Sequence, residues 1–472
     1  MDATQTKTRK KFKVPHIFII LSSIILIVAA LTYFIPAGQF DRVVNEETGR
    51  SVIVPDSFHF VDKNPTKIMG FFKSMPAGFV DAGWVVVLTF CVGGGFVVVK
   101  KTGVIKGSIS ALANKLAGRG IIVIPILMTV FAAVDCFIGM PELCMVYVPI
   151  LLPLMLELGF DSITACATAL VGSAAGFTAA LANPFTTVIG QKICELPLYS
   201  GWEYRLIVLL VMLTVGIVWV TRYAAKVKKN PQLSSMYEID LETRKELAET
   251  QSETTKMTIR QKLAGISALL LFVIMVYGVF NWGWDMPEIG GIFIAMGLVA
   301  GLVAGMSGQE ICDAFFEGCQ DVLMGALIVG IARGVSVVMT EANIIDTVVY
   351  YLAKGVASFP AAITSVGMLI VQTLLNFLIP SGSGQTVVSM PIMAPLSDMV
   401  GVTRQTALLA MQFGDGFSNI IYPVSGYFMA TIGLAKVGYE KWVKFMAPLF
   451  FIWTGLAAVA LVIAQAINWG PF

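Results

Sequence analysis

Charge is what this sequence has least of. Only 13% of its 472 residues are Asp, Glu, Lys or Arg, whereas soluble proteins carry about 25%. The formal net charge is +2, so no nucleic-acid partner is indicated. Histidine is also scarce, because His16 and His59 are the two that occur and both flank the apolar segments. Ser/His or Cys/His chemistry would lack its base there, so we expect no enzyme activity and no catalytic residue.

Metal-binding and phosphate-binding motifs are also missing. The seven cysteines lie mostly within apolar runs and show no metal-ligand spacing, which excludes a zinc site of known pattern and a disulfide framework. No G-x-x-x-x-G-K-[S/T] loop occurs, so ATP does not drive the protein through such a loop. We therefore expect no cofactor, apart from a coupling Na⁺ or H⁺.

Long apolar runs fill the chain instead, and 57% of its residues are hydrophobic. Runs of about 20 residues can span a bilayer as helices. A basic tail precedes the first run, which is too long for a signal-peptide core and has no A-x-A-like cleavage site, so we interpret it as a retained helix. The sequence predicts an all-α membrane protein with nine spanning helices near 17–36, 79–100, 162–184, 203–223, 261–281, 287–306, 319–340, 404–424 and 443–466.

Two further apolar stretches, about 121–157 and about 360–398, are interrupted halfway. Gly139-Met140-Pro141-Glu142 breaks the first and Pro380–Gln385 breaks the second. Each stretch is either a pair of short spans or a re-entrant hairpin. We favour hairpins, because the second break contains no charge and irregular backbone at membrane depth survives only where protein or a water-filled cavity satisfies it.

The two halves of the chain repeat each other. Residues 148–172, moved forward by 242 positions, match 8 of 25 residues, and the matches include Pro149 with Pro391, Pro153 with Pro395, Gly159 with Gly401 and Gly172 with Gly414. Interrupted segments at matching places in two halves indicate a transporter's binding site. We assign a first repeat at 1–223, a linker at 224–260, a connecting helix at 261–286 and a second repeat at 287–472.

The charge distribution predicts how the repeats are oriented. Lysine and arginine are frequent in the N-terminal tail, after the second helix and in the linker, and such segments remain cytoplasmic. With nine crossings, the N-terminus lies inside and Phe472 outside. One connecting helix between the halves inverts the second repeat, so the two hairpins are opposed. A surface helix is expected before each hairpin, near 104–117 and near 343–356.

The helix after each hairpin is also interrupted. In the first half, Gly172–Thr178 leads to Asn183-Pro184, and in the second, Gly414–Asn419 leads to Tyr422-Pro423. Freed backbone groups and small polar side chains at such breaks bind substrates and ions, although small residues also serve helix packing. The candidate substrate-binding or ion-binding residues are Asp135, Glu142, Ser173, Thr178, Asn183, Asn376, Ser381, Gly382, Ser383, Gln385, Asp415, Ser418 and Asn419. Asn183 and Asn419 are the candidates for Na⁺.

Acidic residues outnumber basic ones at this site. Asp135, Glu142 and Asp415 map to it, whereas Arg333 is the clear mid-membrane base. Ionisable residues inside the membrane are typically functional. The acidic excess favours a cationic or zwitterionic substrate, and it equally fits H⁺ or Na⁺ coupling. Arg333 either forms a structural ion pair, with Asp321 or a site carboxylate, or binds a substrate carboxylate.

The two hairpin tips and two broken helices resemble the ion transporter superfamily. The closer resemblance is to the branch of the C4-dicarboxylate anaerobic carriers and YfcC-like proteins, which includes basic amino-acid antiporters, and the plan is also similar to that of the p-aminobenzoyl-glutamate transporters. The segments that carry it are Asn183-Pro184, Ile379–Gln385 and Gly414–Pro423. The resemblance implies a secondary transporter, a homodimer and an elevator-like motion of the hairpins.

The sequence thus predicts an inverted-repeat secondary transporter of the cytoplasmic (inner) membrane. The expected substrate is a basic amino acid of the arginine or ornithine type, taken up by exchange. The alternative is a C4-dicarboxylate or another carboxylate coupled to H⁺ or Na⁺. A channel is disfavoured because the polar residues cluster at one depth. The remaining alternative, a transporter-like receptor or structural protein, would show no substrate flux.

Overall fold

A computed structural model describes residues 17–45, 50–54, 57–104, 120–249, 258–282, 284–356 and 360–470. The described chain is almost entirely helical. The N-terminal tail, most of the surface helix predicted near 104–117 and the C-terminal Phe472 lie outside the described residues.

Eighteen α-helices occur in the described part of the chain, and a π-helix, Pro184–Val188, follows the sixth. They are α1 (Ile17–Leu31), α2 (Ile68–Asp81), α3 (Gly83–Lys101), α4 (Val123–Ile138), α5 (Cys144–Glu157), α6 (Ser162–Ala179), α7 (Ile189–Ile193), α8 (Trp202–Lys229), α9 (Tyr237–Glu249), α10 (Ile259–Trp282), α11 (Met286–Ala304), α12 (Gly308–Glu341), α13 (Ile345–Val356), α14 (Ala361–Leu378), α15 (Gly382–Met399), α16 (Arg404–Ser418), α17 (Gly426–Leu434) and α18 (Tyr439–Ala466).

Six of these helices are long and apolar enough to cross a membrane, within the residues that the structure describes. They are α3, α6, α8, α11, α18 and the helix that reaches from Gly120 to the end of α4. The bent helix α12, whose two limbs meet at 43°, is a seventh candidate. The chain is therefore a multi-pass membrane protein, and the count of nine spans stays a prediction. Two of the predicted spans are shorter helices here, because α1 has 15 residues and α16 ends at Ser418.

The segment between α1 and α2 forms two small antiparallel sheets. Strand β1 (Gly38–Gln39) pairs with β4 (His59–Phe60), and β2 (Arg42–Asn45) pairs with β3 (Arg50–Ile53). Arg42 holds this segment against α13, since its guanidinium donates to both carboxylate oxygens of Asp346 at 2.8 Å. The same carboxylate accepts from the backbone N–H of Phe40 at 3.0 Å. The β segment is thereby fixed to the second half of the chain.

Helices α2, α3, α11 and α12 pack together as one group, which we call the scaffold. Small residues allow its backbones to approach closely, as small residues do between membrane helices. A Cβ placed on Gly93 of α3 would lie 2.8 Å from the carbonyl oxygen of Gly318 in α12. Contacts of this kind leave little room between α3 and α12.

A second group, which we call the hairpin group after the predicted hairpins, contains the two interrupted stretches and the helix that follows each. In the first half, α4 packs on α6, and in the second half α14 packs on α16. Helix α6 lies in the interior of this group, since all of its residues are buried. Each half therefore follows the same order of helix, break, helix, helix, break. The inverted orientation and the re-entrant nature of the interrupted stretches stay predictions.

The linker is not a free tether along its described length. Asp240 of α9 accepts from the backbone N–H of Ser162 at 3.0 Å and from its hydroxyl. Arg244 donates to the carbonyl oxygen of Phe160 at 2.6 Å. Asp161, the N-cap of α6, accepts from Tyr223 at 2.7 Å and from Ser234 at 2.6 Å. These polar contacts fix α9 against the start of α6.

Candidate functional site

Both breaks of the interrupted stretches open onto one cavity of about 280 Å³, which we call the site cavity. Residues 139–142 line it from the first break and residues 380–383 from the second. The scaffold contributes Asp81, Asp285 and Arg333, and the segments after α6 and α16 contribute Thr186 and Asn419. The cavity therefore lies between the scaffold and the hairpin group. Its volume suits one small ligand.

The first break is held by the broken segment after α6. Helix α4 ends at Gly139 in a left-handed conformation, with φ of 68°. The side chain of Asn183 lies where a Cβ on Gly139 would be. The Oδ1 of Asn183 accepts from the backbone N–H groups of Phe185 at 2.8 Å and Thr186 at 3.3 Å. One asparagine thus orders the turn after the break and packs against the first tip.

The second break is capped by its own serine. Ser381 is the N-cap of α15, and its hydroxyl accepts from the backbone N–H of Gly384 at 3.4 Å. Ser381, Gly382 and Ser383 are half-buried and line the site cavity. Since free N–H groups and the positive end of the helix dipole lie at a helix N-terminus, this tip presents hydrogen-bond donors to the cavity.

Asp415 lies directly behind this tip and is fully buried. Its Oδ1 accepts from the Nδ2 of Asn419 at 2.8 Å. Asn376 of α14 donates to the hydroxyl of Ser418 at 2.6 Å and to the carbonyl oxygen of Asp415 at 3.1 Å. These contacts connect α14 to the end of α16, where the helix stops.

The first half has a corresponding contact with a different pair of side chains. Ser173 of α6 donates to the Oδ2 of Asp135 in α4, and both are buried. Asp135 therefore pairs with Ser173, while Asn376, its counterpart in the second interrupted stretch, pairs with Ser418. In both halves, the first helix of the interrupted stretch is hydrogen-bonded to the helix that follows the stretch.

Six of the fourteen predicted site residues line the site cavity. They are Glu142, Arg333, Ser381, Gly382, Ser383 and Asn419. The other eight are buried and outside its lining, and they are Asp135, Ser173, Thr178, Asn183, Asn376, Gln385, Asp415 and Ser418. Gln385 makes its hydrogen bonds within the second interrupted stretch, because its amide donates to the carbonyl and side-chain oxygens of Gln372 at 2.8 Å.

Arg333 forms an ion pair, but its partner is neither Asp321 nor a predicted site carboxylate. Its Nε donates to the Oδ2 of Asp81 at the end of α2. Asp81 is not among the predicted site residues, because it falls at the start of the span predicted at 79–100 and no helix is predicted at α2. The sequence analysis also missed Asp285, whose pairing with Glu288 in a capping box was a detectable signal for the start of α11.

Several buried polar atoms of the site have no hydrogen-bond partner among the described residues. They are the Oδ1 of Asp135, the Oγ1 of Thr178, the Nδ2 of Asn183, the Oδ1 of Asn376, the Oδ2 of Asp415 and the Oδ1 of Asn419. All but one are oxygens, which suit a cation or a hydrogen-bond donor. No group of three His, Cys, Asp or Glu side chains that could hold a metal ion occurs within the described ranges.

Comparison with known proteins identifies the family. The family model described as C4-dicarboxylate anaerobic carrier matches residues 14–466. This chain belongs to that carrier family. YfcC of Escherichia coli (strain K12), whose name proposes basic amino acid antiport, is 31% identical over 503 aligned residues that cover 99% of both chains. An uncharacterized protein of Haemophilus influenzae is 26% identical, also over 99% of both chains. The resemblance predicted from the sequence is confirmed.

Two solved transporter structures align with most of the carrier. The YdaH transporter of Alcanivorax borkumensis has 16% identity and a TM-score of 0.40, with 97% of this chain and 100% of that chain covered. MtrF of Neisseria gonorrhoeae, described with a class of antimetabolite efflux pumps, has 18% identity and a TM-score of 0.41, with 96% and 95% covered.

Proposed function

We propose that this carrier is a secondary active transporter that exchanges basic amino acids across the cytoplasmic membrane. The observation that carries the proposal is the charge of the site cavity. Asp81, Glu142 and Asp285 line it with three carboxyl groups, against one guanidinium, Arg333, which is already paired with Asp81. Such a lining attracts a substrate with a net positive charge, and it disfavours a dianion. The name of YfcC is in agreement with this substrate class.

A C4-dicarboxylate is the second candidate, and the site offers one feature in its favour. Arg333 lines the cavity and could bind a carboxylate through its guanidinium. The description of the family also names C4-dicarboxylates as the transported compounds. A dianion would, however, enter beside Glu142 and Asp285, whose like charges oppose it. We therefore rank the basic amino acid first.

Alternating access in this proposal comes from movement of the hairpin group against the scaffold. The placement of the site cavity between the two groups supports such an elevator-like motion, because displacement of the hairpin group would move the two tips, and a ligand bound to them, relative to the scaffold. We further propose that the interrupted stretches are re-entrant hairpins of an inverted repeat. A homodimer, a cytoplasmic N-terminus and an external C-terminus complete the proposal.

The coupling ion is proposed to bind behind the second tip. Asp415 and Asn419 each have an oxygen without a hydrogen-bond donor among the described residues. H⁺ on Asp415 or Na⁺ between these oxygens would satisfy them. If exchange of two cations balances the charge, no coupling ion is needed, and the same oxygens then face the substrate's ammonium group.

Counterflow in proteoliposomes tests the proposal. Vesicles loaded with unlabelled arginine should accumulate labelled arginine, ornithine and lysine, whereas vesicles without internal substrate should not. Succinate, fumarate and aspartate are the competing substrates, and each is also tested with a Na⁺ or pH gradient. Uptake of succinate without uptake of arginine would assign the carrier to dicarboxylates instead. If neither a basic amino acid nor a dicarboxylate is taken up, both candidate functions are contradicted.

A further inference from the structure

A second cavity of about 520 Å³ lies beside the site cavity, and we call it the vestibule cavity. It is lined by the β segment through Gln39 and Arg42, by the end of α12 through Glu341, and by the start of α13 through Asp346. It therefore lies on the face of the protein that carries strands β1–β4. Its lining combines charged and amide side chains with apolar ones such as Leu378 and Val388.

The two cavities share two lining residues, Asp81 and Arg333. These residues form the ion pair between α2 and α12. The pair is accessible from the cavities, since 28% of the Arg333 side chain and 45% of the Asp81 side chain are exposed. Because the pair lines both cavities, it lies at the boundary between them, and we call this boundary the partition.

The second tip completes this partition. Pro380 and Ser383 line the site cavity, whereas Ile379 and Gly384 line the vestibule cavity. The tip thus has one side towards each space. The direct route from the vestibule cavity to the site cavity therefore runs between the tip and the Asp81–Arg333 pair.

We propose that the Asp81–Arg333 ion pair is a selective partition between the two cavities. A zwitterion crosses it by binding to Asp81 in place of Arg333 and to Arg333 in place of Asp81. An amino acid carries an ammonium group, which can bind Asp81, and a carboxylate, which can bind Arg333 bidentately. Both protein charges stay paired while the original ion pair is open. A carboxylate-free cation or a dianion leaves one protein charge unpaired, so it crosses at a disadvantage. The substrate-selectivity part of this inference rests on the proposed function.

Thiol labelling tests the partition without any substrate. The exposed Cys312 and the partly exposed Cys319 are first replaced by serine. Ser383→Cys then reports on the site cavity, and Thr340→Cys reports on the vestibule cavity. A membrane-impermeant maleimide is added from the face that carries the β segment. Asp81→Asn or Arg333→Gln should accelerate labelling of the site thiol by about threefold to fivefold, the range for a partly exposed ion pair, and leave the vestibule thiol unchanged.

The matched control is a second ion pair between the same two helices. Lys73 of α2 and Glu341 of α12 are joined at 3.4 Å and are largely exposed. Lys73→Gln should not change the labelling of Ser383→Cys. If Lys73→Gln accelerates it as much as Asp81→Asn does, the effect comes from separation of α2 from α12, and the partition is overturned. Unchanged labelling in both Asp81→Asn and Arg333→Gln overturns it as well.

Substrate selectivity is the second test, with arginine and its decarboxylated form, agmatine, as the probes. The intact carrier should prefer arginine, and Arg333→Gln should reduce the ratio of arginine to agmatine uptake by about threefold to fivefold. An unchanged ratio overturns the recognition of the carboxylate by Arg333. Absence of both fluxes, together with the expected labelling result, would instead contradict the proposed function while the partition stands.

Discussion

Gly382, at the second break, lies directly against the side chain of Asp415 in α16. A Cβ added to Gly382 would lie 2.6 Å from the Oδ2 of Asp415 and 2.9 Å from the Cγ2 of Thr186. The buried carboxylate of α16 is therefore separated from the site cavity by a residue without a side chain. Any movement of the tip changes the surroundings of this carboxylate, so the two residues connect the cavity to the interior of the hairpin group.

Asp415→Asn should impair transport more than folding. The change keeps the size of the side chain but removes the charge that meets an ammonium group, a proton or Na⁺. Loss of one charge-assisted contact costs roughly 1.5–3 kcal/mol, so the apparent affinity in counterflow should fall by about tenfold to a hundredfold. Asp321→Asn, at an exposed acid of α12, is the control. Wild-type affinity in Asp415→Asn would remove this residue from the site and favour Asp135 and Glu142.

Gly382→Ala should lower uptake while Gly384→Ala does so far less. Alanine at 382 would press against Asp415 and Thr186, whereas the nearest atom to a Cβ at 384 is the Ser381 hydroxyl at 3.3 Å. Both changes add one methyl group to the same tip, so the comparison separates close approach from loss of tip flexibility. Initial rates of arginine exchange are the measurement, and equal rates in the two variants would contradict our account of Gly382.

Ser173→Ala should destabilise the hairpin group. It removes the hydroxyl that donates to the buried carboxylate of Asp135, and an unsatisfied buried charge-assisted acceptor costs roughly 1.5–3 kcal/mol. We expect a lower apparent melting temperature in detergent. Thr168→Ala is the matched control on α6, because Thr168 donates only to the carbonyl oxygen of Thr164, at 2.8 Å. Similar melting temperatures for the two variants would show that the contact between Ser173 and Asp135 contributes little.

Asp240→Ala should release α9 from its position beneath α6. The change removes the acceptor for both the backbone and the hydroxyl of Ser162, whereas Glu242 on the same helix is exposed. Hydrogen exchange should become faster across α9 in Asp240→Ala and remain unchanged in Glu242→Ala. Unchanged protection in Asp240→Ala would mean that Arg244 and the surrounding apolar contacts hold the helix without it.

Labelling of the linker tests the predicted orientation. A thiol at Glu242 should react with an impermeant reagent only after permeabilisation of cells, because the surrounding basic segments place the linker inside. A thiol at Lys63, between the β segment and α2, should react in intact cells. The opposite pattern would invert the topology and with it the side of the membrane that the vestibule cavity faces.

The sequence was most informative where the chain is interrupted. Proline and glycine report local constraints, and the breaks at 139–142 and 380–383 both border the site cavity. Contacts between distant segments could not be predicted from the same signals. Asp81 and Arg333 are 252 positions apart, and no local pattern connects them. The docking of α9 depends likewise on Asp240 and Ser162, which are 78 positions apart, so the composition of the linker could not predict it.

The buried oxygens without donors among the described residues have a consequence for the stability of the carrier. Each such atom that no ion, water or substrate satisfies lowers the free energy of unfolding by roughly 1–3 kcal/mol relative to a satisfied one. Thr178→Val keeps the shape of the side chain and removes a buried hydroxyl that has no partner among the described residues, so it should raise the melting temperature while it impairs the proposed exchange. Screens that select this carrier for thermostability alone would then enrich variants that have lost polar groups of the proposed site.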